Sequence, residues 1–207
     1  LQMKNAQLQA SLVLTLILRI ISAFFSILTA LFGVLIINEI AKIYIEKYSK
    51  KTILITSSLL FIFTPSLIQF AHFGTTESTL AFLYTVLVYI SILMIRKKIT
   101  SVKYLTESSL IIGFAIATKV SSLIFLFVPF IALFFTEKIN IKKKILYLLY
   151  ISFLTIVIAI FFSPHYLISY KEFLGSLSYE SSVALGRIRV FYTRQFEGAI
   201  PIIFQFT

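Results

Sequence analysis

Apolar residues run through this chain in long blocks separated by short polar breaks, with no sustained period-two alternation. The blocks cover residues 11–37, 52–71, 78–95, 108–135 and 145–162. A helix needs about 20 apolar residues to cross a ~30 Å hydrocarbon layer. The first block is long enough to cross with tilt. The pattern predicts spanning helices and no strands.

The breaks carry the charge. Three basic clusters fall between the apolar blocks: Lys42, Lys47, Lys50 and Lys51; Arg96, Lys97, Lys98 and Lys103; Lys138, Lys142, Lys143 and Lys144. Short Lys/Arg-rich loops beside apolar spans mark a cytoplasmic face. If all three clusters share that face, the chain crosses an even number of times between each pair. This constrains residues 108–135, which as one helix would measure about 42 Å at ~1.5 Å per residue and would separate its flanking clusters. Two short helices meeting at Lys119 keep the clusters together, and Thr118, Lys119, Ser121 and Ser122 supply a polar apex. A single tilted helix with a buried Lys119 is the alternative.

After 145–162, Pro164 restrains Ser163 and ends the helix. Phe173, Leu174, Leu177 and Val183 are spaced like one helix face, with Lys171, Glu172 and Glu180 elsewhere, which predicts a helix over 170–185 lying on the outer membrane surface. A further apolar run starts at 199. The expected fold is therefore all-α, a polytopic transmembrane bundle. It makes about six crossings (11–37, 52–71, 78–95, 108–118, 120–135, 145–162), followed by an outer segment over 164–198. No internal repeat is visible, which disfavours an inverted-repeat transporter.

Composition agrees with the pattern. The 207 residues are 59% hydrophobic and 13% charged, with a mean hydropathy of +0.98. A soluble domain is about one-quarter charged, and disorder needs low hydrophobicity. Both classes are excluded. The net charge of +11 sits largely in the loop clusters, which argues for anionic lipid headgroups rather than nucleic acid. Cysteine is absent and all eight acidic residues are glutamate, so thiol chemistry and aspartate chemistry need residues from elsewhere. A chain opening on Leu1 and closing inside an apolar run reads as a piece of a longer one.

With the basic loops inside, the remaining polar groups gather at the outer helix ends. His72 and Glu77 flank the loop between the second and third spans, and Lys119 is the hairpin apex. His165 follows the last full span, and Arg194 stands in the outer tail with Arg187 and Arg189. Counted from the start of the first span, Arg19 lies roughly 12 Å deep. Each has a plainer reading: Arg19 as a snorkelling arginine, Lys119 as a lipid-phosphate contact, the histidines as interfacial residues, Glu77 as a first-turn helix charge.

The ordered set of motifs resembles a known family. Arg19-Ile-Ile-Ser22-Ala23, Thr64-Pro65-Ser66, His72-Phe73-Gly74-Thr75-Thr76-Glu77, Gly113 through Lys119, Ser163-Pro164-His165-Tyr166 and Tyr192 through Gly198 are similar, in order, to segments of GT-C type integral-membrane glycosyltransferases. The closer similarity is to the bacterial branch of protein O-mannosyltransferases and aminoarabinose transferases. The resemblance implies a polyprenyl-phosphate sugar donor, a glycan, lipid or protein acceptor, and a site on the outer face of the cytoplasmic membrane. It assigns Glu77 to the position of a catalytic acid that is more often aspartate. Lys119 becomes a donor-phosphate contact, with Arg194, Arg19, His72 and His165 as further substrate-binding candidates. A first outer loop carrying another carboxylate would lie upstream of Leu1.

The chemistry is consistent with that assignment. Displacing a lipid phosphate from an anomeric carbon builds negative charge on the leaving group, which a cation stabilises. A carboxylate can take the proton of the acceptor hydroxyl. Some relatives hold a divalent metal through a carboxylate and a histidine, which would fall here to Glu77 with His72 or His165. One carboxylate and one histidine make a poor site for a hard cation. The competing readings are a transporter or flippase for a lipid-linked or anionic solute, using the same cations without bond making, and a non-catalytic membrane scaffold.

Overall fold

In the computed structural model, the described residues are 2–44, 49–136, 139–188 and 190. They fall into two compact units, Leu1–Phe162 and Ser163–Thr207. The described residues are helical, without strands. The first unit contains α1 (Gln2–Tyr44), α2 (Lys50–Ile62), α3 (Pro65–Phe73), α4 (Glu77–Ile95), α5 (Ser101–Thr118), a 3-10 turn over Val120–Leu126, α6 (Phe127–Phe135) and α7 (Ile141–Phe162). The second contains α8 (His165–Ile168) and α9 (Tyr170–Ala184).

Among the described residues, three helices are long and apolar enough to cross a membrane: α1 over Ser11–Lys42, α4 and α7. A fourth span results if α2 and α3, bent by 49°, act as one. Residues 52–71, expected as one span, are broken there by Pro65. Proline has no N–H to continue the α2 ladder and is preorganised for the first turn of a new helix. The surface is apolar, with Leu60, Phe63, Phe127 and Phe153 all exposed. Small hydroxyls lie inside instead: Ser22, Ser78, Ser91, Ser108, Ser109 and Thr155 are buried. Apolar outside with small polar residues between helices is the packing of a bundle dissolved in lipid, where close backbone approach replaces the hydrophobic effect.

Cross-helix pairs fix the directions. Phe25 meets Phe82 at 5.4 Å between ring centroids, Phe32 meets Tyr89 at 5.5 Å, and Glu39 meets Arg96. Each step advances both helices by one heptad, so α1 and α4 run parallel in coiled-coil-like register. Ser109 donates to the Ile151 carbonyl at 3.4 Å, Gly113 abuts Thr155 and Ile158, and Phe114 meets Phe162 at 5.2 Å. Hence α5 and α7 are also parallel. Two parallel neighbours need a return segment between them. The pair α2 and α3 returns the chain between α1 and α4. The 3-10 turn with α6 helps return it between α5 and α7, packed on α4 through Tyr84 and Phe125.

Opposite ends of the first unit consequently carry different groups. Glu39, Lys42, Arg96, Lys98 and Lys103 share one end, and Gly74, Glu77 and Lys119 share the other. The 20 residues from Arg19 to Glu39 rise about 30 Å, the thickness of a bilayer's hydrocarbon layer.

Candidate functional site

Glu77 begins α4 at the end away from the basic loops. A carboxylate in a first turn faces the positive end of the helix dipole. The approach to it is fixed by Gly74, which caps α3 at φ 62°. An L side chain is disfavoured in that conformation. A Cβ there would also lie 3.1 Å from Leu18 Cβ and 3.2 Å from the Arg19 nitrogen. The loop therefore sits directly against α1, where the Ser22 hydroxyl donates to the Thr75 carbonyl at 3.2 Å.

Lys119 comes from the other direction. Helix α5 stops at Thr118, and Lys119 adopts an extended conformation (φ −156°, ψ 122°). Its N–H still donates to Ala115 at 2.9 Å, while its carbonyl accepts from Ser122 at 2.9 Å. β-Branched Val120 and the hydroxyls of Ser121 and Ser122 weaken α-helix continuation, and the tighter 3-10 turn follows. The ammonium then reaches α4: Lys119 Nζ donates to Glu77 Oε1 at 2.9 Å. The pair is half-open, with side-chain exposures of 50% for Lys119 and 37% for Glu77. Nearby in sequence, the Ser122 hydroxyl is buried without a hydrogen-bond partner, as is the Ser26 hydroxyl on α1 one turn beyond Ser22.

The other sequence candidates divide. Arg19 lies level with Gly74 through its backbone and is exposed. It stands eight residues into the apolar stretch of α1 that begins at Ser11, beside the loop between α3 and α4. His72 sits in the last turn of α3, exposed, two residues before Gly74. His165 belongs to the second unit, where its Nδ1 lies 3.3 Å from the Ser163 hydroxyl and its ring meets Tyr166 edge-on at 4.6 Å between centroids. Tyr166 in turn meets Phe173 at 4.6 Å. Burial pushes the Tyr166 phenol above its ordinary value, opposed by a hydrogen bond with Ser163. Arg194 lies outside the described residues.

No three His, Cys, Asp or Glu side chains converge as a metal-ion site among the described residues. Glu77 faces an ammonium, and a hard divalent cation would need further oxygen ligands beside it. Among the described residues, the surroundings of Glu77 do not fit a metal ion.

The sequence reading missed a second ionic centre, at the basic end. Glu39 is almost buried (side chain 9% exposed) and receives Lys42 at 2.6 Å, together with Arg96 and Lys98. Arg96 also donates to the Glu39 backbone carbonyl at 2.7 Å. A lone glutamate closing the first apolar block beside a basic loop was the available signal.

No family model, curated protein or solved structure matches the chain.

Proposed function

We propose that this bundle is the membrane domain of a glycosyltransferase that moves a sugar from a polyprenyl-phosphate donor to an acceptor at the outer face of the cytoplasmic membrane. The observation that carries the reading is the Glu77–Lys119 pair, an acid and a cation held together at the end of the bundle opposite the basic loops. Half-exposed, it can exchange partners. A donor phosphate competes with Glu77 for the Lys119 ammonium, since both are oxyanions accepting the same N–H groups.

That exchange orders the chemistry. A carboxylate held by an ammonium is a poor proton acceptor, and one released from it is a better one. Phosphate binding therefore frees Glu77 to take the acceptor hydroxyl's proton as that oxygen attacks the anomeric carbon. The sugar–phosphate bond breaks toward the phosphate, whose growing charge Lys119 stabilises. Arg19 at the same rim adds a second cation for the anionic headgroup.

The test is transfer of radiolabelled sugar from polyprenyl-phosphate donors in membranes containing the intact protein. The reading expects Glu77→Gln and Lys119→Ala each to abolish transfer while the protein still inserts. Undiminished transfer by both variants would remove the pair from the mechanism.

A further inference from the structure

An apolar groove of about 340 Å³ lies along α4 between α1 and α5. Phe32 of α1, Tyr89 and Leu93 of α4, and Leu110 and Ile111 of α5 line it. Its mouth carries Lys103 and Glu107, which pair loosely at 3.7 Å, the lysine exposed and the glutamate partly so. From Lys103 to Ile111 the helix rises about 12 Å, so the groove runs from the basic rim into the spanning part of the bundle.

The rim is strongly positive. Lys42, Arg96, Lys97, Lys98 and Lys103 stand there against Glu39 and Glu107, an excess of three positive charges among these described residues. Glu39 organises them. It neutralises one charge while drawing Arg96 and Lys98 against the end of α1. The turn after α4 holds them there at some strain: Lys97 takes φ 58°, a left-handed conformation usual for glycine. Its neighbour Lys98 donates its N–H back to Leu93 at 2.8 Å, closing the helix end. Lys42 and Lys98 remain about two-fifths exposed.

We infer that this groove is a binding site for an anionic glycerophospholipid of the leaflet at the basic end, its phosphate against Lys98 and Lys103 and one acyl chain along Phe32, Tyr89 and Ile111. Charge complementarity selects the headgroup, because a zwitterionic lipid brings its own cation into a rim already in positive excess. The depth of the apolar part selects a lipid over a soluble phosphate, which would leave the groove empty. The site is independent of the sugar-transfer reading, since it lies at the opposite end of the bundle.

The experiment is native mass spectrometry of the detergent-solubilised protein titrated with phosphatidylglycerol or phosphatidylcholine of the same acyl chains. Wild type is expected to retain phosphatidylglycerol preferentially. Lys103→Gln should lower that preference by about fivefold, the effect of one cation near an anionic surface. Val86→Phe, which enlarges a groove-lining side chain, should weaken both lipids. Lys103→Gln changes only an exposed charge and keeps the test decisive should Val86→Phe fail to fold. Equal retention of the two lipids by wild type overturns the inference, as does an unchanged preference in Lys103→Gln. Displacement of the lipid by glycerol phosphate at equal concentration also overturns it, since the groove would then be unused. Dimers that form as lipid is stripped, and that Val86→Phe abolishes, would instead place a second copy in the groove.

Discussion

Lys119 Nζ and Glu77 Oε1 lie 2.9 Å apart although 42 residues separate them in the chain. The contact joins the end of one helix to the start of another, and both groups keep access to water. A half-exposed ion pair adds about 0–1 kcal/mol to stability. Glu77→Gln and Lys119→Ala should therefore leave thermal unfolding in detergent within ~1 kcal/mol of wild type. Loss of sugar transfer beside that unchanged stability is the expected combination. A large stability loss would mark the pair as a structural clamp.

The parallel directions of α1 with α4 and of α5 with α7 make a topological prediction. Reporters fused after residues 50, 100 and 140 should read one side of the membrane, and a reporter at 74 the other. Cysteine-scanning accessibility checks the same four positions without interference, because the chain has no native cysteine. Opposite sides for 100 and 140 would mean that residues 119–140 do not return the chain.

Charge placement made the far ends of this bundle legible. Basic clusters flanking residues 108–135 argued for a turn at Lys119, and the chain does break there, which sets Lys119 beside Glu77. Hydropathy left other features out of reach because it reports which residues tolerate lipid and not what they face. The 3-10 turn over Val120–Leu126 is as apolar as a helix. The buried hydroxyls Ser22 and Ser26, one turn apart on α1, look like ordinary interruptions until the fold covers them and sets Ser22 against the Thr75 carbonyl. Glu39 is one glutamate among eight in the sequence, and nothing local to it shows that it holds three cations.

Glu39→Gln should be the most damaging single charge removal. Its carboxylate is nearly dry and joins α1 to the turn after α4. Removing one member of a buried ion pair costs about 3–5 kcal/mol, and partly exposed cations recover some of that by hydration. A loss of roughly 1–3 kcal/mol is expected, read as a lower unfolding midpoint in detergent. Glu107→Gln serves as the control, because its pair with Lys103 is exposed and 3.7 Å long. It should cost less than about 0.5 kcal/mol.

Two glycines that look alike in the sequence should respond differently to alanine. A Cβ on Gly113 would stand 2.6 Å from Ile158 Cγ2, 2.7 Å from Ile158 Cβ and 3.0 Å from the Thr155 carbonyl oxygen. None of these can give way without moving α7, because a β-branched side chain is stiff at its first torsion and a carbonyl belongs to its helix. Ser109, Gly113 and Ala117 recur every fourth residue and let α5 approach α7 closely, as small residues do between membrane helices. Gly113→Ala should therefore cost about 1–3 kcal/mol, as overpacking does. The nearest atoms to a Cβ on Gly33 would be the far edge of the Phe61 ring, at 2.2–2.5 Å. That ring can swing aside, so Gly33→Ala should be close to neutral, with alanine's better helix propensity offsetting the rearrangement. Adding Ile158→Ala to Gly113→Ala should restore part of the loss by removing Cγ2, the nearest atom in the way, although alanine keeps the Cβ. Unfolding of the three variants in mixed detergent micelles reads all of these terms. No recovery in the double variant would mean that the Thr155 carbonyl and the Cβ at position 158, rather than Ile158 Cγ2, set the spacing of α5 and α7.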